Sequence, residues 1–196
     1  LYVLAKVESE IHSIDQLRGH LVAVGPPGSG SLATAELVLE SLKLTPDLVT
    51  LDLMDWEQLL SADAPDAAML CVGRGSLLVS NLLADGRWRL VPLTESIQIS
   101  LRHPALRPMT IEPEEFAALR QGSEPLIPES IPTVGTTAFL AAREDAPAEL
   151  VVAVLHALYQ EPTLYRELIP RQLAAEWQGL AFHPAARRYF EQQAGP

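Results

Sequence analysis

The chain has 196 residues, 14 Lys and Arg against 25 Asp and Glu, and a formal charge of −11 at neutral pH. That length serves one ordinary domain or two small lobes, and a 48% hydrophobic share supports a packed core rather than disorder. The acidic balance, with no cluster of Lys and Arg, argues against nucleic acid, and no apolar run reaches the roughly 18 residues of a membrane helix.

The chain opens on Leu1-Tyr-Val-Leu-Ala-Lys-Val7, a strand composition with no signal-like start, and so reads as a piece of a longer protein. In the segment from Ile11 to Gly19, Ser13 can cap a single helical turn that Gly19 stops. Leu21 to Val24 is a short apolar run, the mark of a buried strand. Gly25-Pro-Pro-Gly-Ser-Gly30 leaves no room for a regular element. From Ser31 onward Leu32, Ala35, Val38, Leu39 and Leu42 mark one face of a helix, with Ser29 or Ser31 as its cap. Leu48–Leu53 is a second strand, Asp55–Leu60 a short helix, and Ala67–Val72 a third strand ending at Gly73-Arg-Gly75. The one cysteine, Cys71, lies in that third apolar run and reads as a core residue; alone it excludes an internal disulfide. Ser76 begins a helix through Leu83, and Trp88–Val91 is a fourth strand closed by Pro92. This alternation predicts an α/β sheet that is largely parallel.

Residues 94–130 hold five prolines and one clear helix, Pro113–Gln121. Thr133–Arg143 returns to strand character. After Asp145-Ala-Pro147 an amphipathic helix runs to Tyr159, with Leu150, Val151, Val154, Leu155 and Leu158 on one face. A further helix, Pro162–Ile169, and a tail, Gly179–Gly195, finish the chain, and there is no internal repeat.

Strand, small-residue loop and helix N-terminus make an anion site: free backbone N–H groups and the positive end of the helix dipole point into the loop. Three readings of residues 25–31 stay open. The segment resembles a P-loop without its lysine, since G-x-x-x-x-G is followed directly by Ser31 and the next lysine is Lys43, about three turns along the helix. Alternatively it grips a small carboxylate through neutral donors, or its glycines merely make a tight turn. Arg74, between glycines at a strand's carboxyl end, is placed to pair with an anion. Thr133, Thr136 and Thr137 offer hydroxyl donors, although β-propensity alone explains them.

Other chemistry is sparse. The histidines His12, His20, His103, His156 and His183 fall at no ligand spacing, so neither a metal nor a cofactor is expected. Pro27 and Ser31 break a nucleophile-elbow pattern around Ser29. The acidic pairs Glu114-Glu115 and Glu144-Asp145 each begin a helix, where the dipole favours them.

Five stretches together resemble the TAXI family of solute-binding proteins, the receptor subunits of one class of TRAP transporter. They are Leu1–Lys6, Ile14–Ser31, Pro65–Gly73, Ile131–Arg143 (opening Ile-Pro-Thr-Val-Gly), and Phe182-His-Pro-Ala-Ala-Arg-Arg-Tyr-Phe190. The resemblance implies a periplasmic binding protein type II-like fold, with two lobes and mostly parallel sheets. Lobe two would span residues 10–125; residues 1–9 and 126–196 would belong to an incomplete lobe one, the family's N-terminal part being absent. It implies a non-enzymatic receptor outside the cytoplasmic membrane, free or anchored, that closes on a small organic anion such as a carboxylate or amino acid. The membrane components of a TRAP transporter would be its partners. Gly28, Ser29, Gly30 and Ser31 would face the ligand, joined on the residue reading by Arg74 and Thr133. Two departures stand out. Arg74-Gly75-Ser76 replaces the family's proline after Gly73, and Glu124–Ser130 lacks the family's aromatic segment. A degenerate sensor or partner-binding domain is therefore the alternative, and it turns on whether Ser29 and Ser31 line a cleft or are packed over.

Overall fold

The computed structural model describes residues 1–50, 58–117, 119–121, 124–160, 168–176 and 179–192. They divide into two compact units, Leu1–Thr137 and Ala138–Pro196.

The first unit is built on a five-stranded sheet of β1 (Tyr2–Lys6), β2 (Leu21–Val24), β3 (Asp47–Thr50), β4 (Ala67–Leu70) and β5 (Trp88–Leu90), in the order β3-β2-β4-β1-β5. β2 is parallel to β3 and β4, whereas β1 is antiparallel to both β4 and β5. Four strands thus run one way and β1 alone is reversed. The expected α/β class with a mostly parallel sheet is the one the chain forms.

Both faces of this sheet are covered, which is why β2 and β4 at its centre read as unbroken apolar runs. Side chains alternate between two cores. Val3, Ala5, Val22, Val24, Ala67 and Met69 enter one; Tyr2, Leu4, Ala23, Ala68, Leu70 and Trp88 enter the other. On the first face lies α1 (Gly30–Leu42), contributing Ala35, Val38 and Leu39. The turn Ile14–Leu17 joins it there, capped reciprocally by Ser13 and Gln16 and left through Gly19 at φ +75°. On the second face α2 (Leu77–Ala84) supplies Val79, Leu82 and Leu83. Trp88 buries its ring there while its indole N–H donates to the Leu59 carbonyl at 3.0 Å.

Residues 94–130 hold more than the one predicted helix. α3 (Ser96–Arg102) is followed by β6 (Arg107–Ile111), a 3₁₀ turn at Pro113–Phe116, and the two-residue strands β7 (Arg120–Gln121) and β8 (Glu124–Pro125). α3 has only seven residues, and Ile97 and Leu101 on it are exposed, so no apolar period announces it. The predicted helix Pro113–Gln121 shrinks to that 3₁₀ turn. β6 pairs antiparallel with β9 (Ile131–Gly135), and Pro108 and Pro132 fall in alternate pairs of one register class, Pro108 with Val134 and Thr110 with Pro132. Two prolines are tolerated there because alternate antiparallel pairs exchange no N–H bonds. The strand expected over Thr133–Arg143 ends at Gly135, and residues 138–143 form no regular element.

The contacts divide the chain after Thr137. Tyr2–Lys6, within the segment that the resemblance gives to lobe one as a crossing strand, forms β1 of the main sheet. Strand composition signals a strand without saying which sheet it joins.

The second unit contains α4 (Ala148–Gln160), α5 (Arg171–Ala175) and α6 (Pro184–Glu191). Val151, Val152, Leu155 and Tyr159 of α4 pack on Ala186, Tyr189 and Phe190 of α6. His183 caps α6 through its Nδ1, which accepts the Ala185 N–H, and Pro184 takes the first helical position. Predicted segments at 51–57 and 161–167 lie outside the described residues.

Candidate anion site at the carboxyl end of the sheet

The loop after β2 is shaped by its smallest residues. A Cβ at Gly25 would stand 2.3 Å from the Ser29 hydroxyl, so only glycine lets the chain fold back so tightly. The turn closes when the Ser29 N–H donates to the Pro26 carbonyl at 3.0 Å, with Gly28 at φ +83°. Ser29 is then the N-cap of α1: its hydroxyl accepts the Leu32 N–H at 3.1 Å and its carbonyl accepts the Ala33 N–H at 3.1 Å.

Ser31 turns the other way. It is buried, its hydroxyl oxygen accepts the Cys71 N–H at 2.9 Å, and its hydroxyl lies 3.4 Å from the Cys71 carbonyl. One side chain thus clamps the start of α1 to the exit of β4, and Cys71, expected in the core, is half-buried beside it. Both serine hydroxyls are engaged inside the fold. Left over are the first two amides of α1: among the described residues, neither the Gly30 nor the Ser31 N–H has an acceptor. Gly30 is exposed, and a Cβ there would meet nothing within 4 Å. The donors left over at the start of α1 are these two amides, beside the Ser29 hydroxyl, whose oxygen is used only as an acceptor.

Arg74 lies three residues beyond Cys71. It is already paired: its guanidinium donates to Glu115 Oε1 at 2.6 Å, with the arginine side chain 54% exposed and the carboxylate 10%. Glu115 Oε1 also accepts the Glu112 N–H at 3.0 Å. Its Oε2 accepts from the Tyr2 hydroxyl at 3.2 Å and from the Gly75 N–H at 3.3 Å. Burial, and then the neighbouring Glu115 carboxylate, push the Tyr2 phenol well above its ordinary value, so it stays protonated as a donor. Glu115 read in sequence only as a helix-start acid; its role depends on a partner 41 positions away.

Thr133 is buried on β9, where its hydroxyl donates to the Leu1 carbonyl at 2.5 Å. The topology nonetheless gathers all these residues. Because β1 runs against β4, pairing Tyr2 with Leu70, the beginning of β1 lies beside the end of β4. The end of β2, the start of α1, Arg74, Tyr2 and Thr133 consequently share one end of the sheet. That is the carboxyl end of the parallel strands, where open α/β sheets bind ligands.

The second unit has a separate concavity of about 280 Å³ between α4 and α6, lined among others by Glu149, His156, Arg188 and Tyr189. None of Gly28, Ser29, Gly30, Ser31, Arg74 and Thr133 lines it.

A profile of the NMT1-like family matches residues 1–193. With a mixed α/β fold and a mostly parallel sheet beneath it, the chain belongs to the NMT1-like family, a periplasmic-binding-protein-like family of solute-binding rather than catalytic domains.

Proposed function

We propose that the chain is the ligand-holding part of an extracytoplasmic receptor that binds a small organic anion, a carboxylate or an amino acid, at the amides of Gly30 and Ser31. The observation that carries this reading is the pair of acceptor-less N–H groups at the start of α1, beside the open space at Gly30, at the carboxyl end of a parallel sheet. Family membership supports a solute-binding role, and the sequence resemblance to TAXI receptors extends it to delivery of the solute to a TRAP-type membrane partner. Binding would act by shifting an open–closed equilibrium in the intact receptor.

A second reading has a specific observation behind it. The side chains of Ser29, Ser31, Arg74 and Thr133 each have a partner inside the fold: Ser29 accepts the Leu32 N–H, Ser31 accepts the Cys71 N–H, Arg74 pairs with Glu115 and Thr133 donates to the Leu1 carbonyl, as they would in a domain kept for a partner after losing its ligand. A nucleotide enzyme is disfavoured twice. The loop lacks its lysine, and the Ser31 hydroxyl that would meet Mg²⁺ is tied to Cys71.

Thermal unfolding against a panel of carboxylates, amino acids and ATP–Mg²⁺ separates these readings. Occupancy at about 100 times Kd stabilises by about 2.7 kcal/mol. Stabilisation by one carboxylate, lost in Gly30→Leu, is the expected result; Gly30→Leu has room to fold because nothing lies within 4 Å of its Cβ. Response to ATP–Mg²⁺ alone overturns the receptor reading, and no response to any small anion favours the partner domain.

A further inference from the structure

The carboxylate of Glu115 is held as a bound ligand would be. Four donors converge on its two oxygens, from Arg74, the Glu112 N–H, the Tyr2 hydroxyl and the Gly75 N–H. That is the full complement an ionised carboxylate accepts. The donors come from three places in the chain: the first strand, the loop after β4, and the residue that opens the 3₁₀ turn. Tyr2 also packs edge-on against Phe116 at 6.0 Å, so the hydroxyl is held by its ring and not by Glu115 alone. Gly75 has φ +64°, which aims its N–H by backbone conformation. The donor set is therefore organised largely without Glu115. Arg74, its single cation, stays 54% exposed and within reach of solutes.

We propose that Tyr2, Arg74 and Gly75 form a carboxylate-binding cradle whose resident occupant is Glu115, and that a free organic acid engages Arg74 only by displacing it. Glu115 is then an internal competitor. A site whose competent state is only a fraction of the population binds with its affinity reduced by that fraction, so the contact sets a threshold on ligand concentration. The cradle stands on its own geometry; only the displacement step rests on the receptor reading above.

Replacing the occupant tests the cradle. Glu115→Ala is melted in about 100 mM sodium formate and in sodium chloride of equal ionic strength, beside the wild type and the double variant Glu115→Ala/Arg74→Gln. Formate is expected to restore at least half of the melting temperature lost in Glu115→Ala, and to restore nothing in the double variant. Recovery should persist with Gly30→Leu added, which separates this site from the α1 amides. Equal recovery in chloride, or none in formate with a folded circular dichroism spectrum, overturns the cradle. If Glu115→Ala does not fold, Glu115→Gln keeps the shape and removes the charge that pairs with Arg74. Its formate affinity should then exceed the wild type's by roughly threefold or more, as release of an internal competitor requires. Equal formate dependence in the two proteins overturns the proposal.

Discussion

Ser29 and Ser31 are two residues apart and do different work, and substitution separates them. Ser29→Ala removes an N-cap whose amide partner, Leu32, is half-buried at a helix end, and costs about 1 kcal/mol. Ser31→Ala removes the acceptor of the Cys71 N–H and opens the clamp between α1 and β4, leaving a shielded donor unmatched at about 1–3 kcal/mol. Urea unfolding should rank the two variants in that order. Tyr2 adds a pH dependence whose sign follows from its raised phenol. A group that holds its proton more tightly when folded contributes stability below its unfolded value, near pH 10, and that stability is lost as pH rises beyond it. Tyr2→Phe should flatten the alkaline decline, measured by denaturant unfolding between about pH 9 and 11. The Ser29 cap was legible in the chain; the longer-range pairings were not. Ser31 and Cys71 lie 40 positions apart and Arg74 and Glu115 lie 41 apart, and side-chain partners at that range depend on strand order.

At the scale of elements, legibility followed burial. β2 and β4 were readable as unbroken apolar runs because both faces of the sheet are covered, and β1 and β5 carry the same signal interrupted only by Lys6 and Arg89. α1 was readable from its period and its cap together. β6 and α3 were not, since a two-stranded ribbon accepts prolines and a short helix with exposed Ile97 and Leu101 has no clean stripe. The candidate site was legible as an element, strand–loop–helix, whereas the two uncommitted amides at the start of α1 carry no sequence signal, because every residue but proline has one. This yields a prediction in which stability and binding move in opposite directions. Gly30→Asp puts a negative charge at the first position of α1, where the dipole stabilises it by about 0.3–1 kcal/mol. The same charge repels an anion from the Gly30 and Ser31 amides. A melting temperature that rises while the carboxylate response disappears would mark those amides as the binding groups. A retained response would move the ligand elsewhere.

At the scale of the molecule, the residues of the candidate site and both faces of the main sheet belong to the first unit. The second unit has a smaller means of support: among its described residues only Ala185, Ala186, Tyr189 and Phe190 are buried, and all of them are on α6. α4, although 13 residues long, has none buried. Local stability tracks buried apolar contact, so α4 amides should exchange with solvent well before those of β1 and β4. The same imbalance predicts where the chain is cut. Residues 138–145 are exposed without regular structure, and Arg143 within them has a side chain 85% exposed and pairs with Asp145 two residues on. Among the described residues, limited trypsin digestion should therefore cleave first at Arg143, and the fragment of residues 1–143 should keep cooperative thermal unfolding, because it retains every described residue of both sheet-face cores. If the receptor reading holds, that fragment also keeps the carboxylate response of the intact chain. Loss of cooperative unfolding on this single cut would mean that the first unit draws its stability from residues beyond 143.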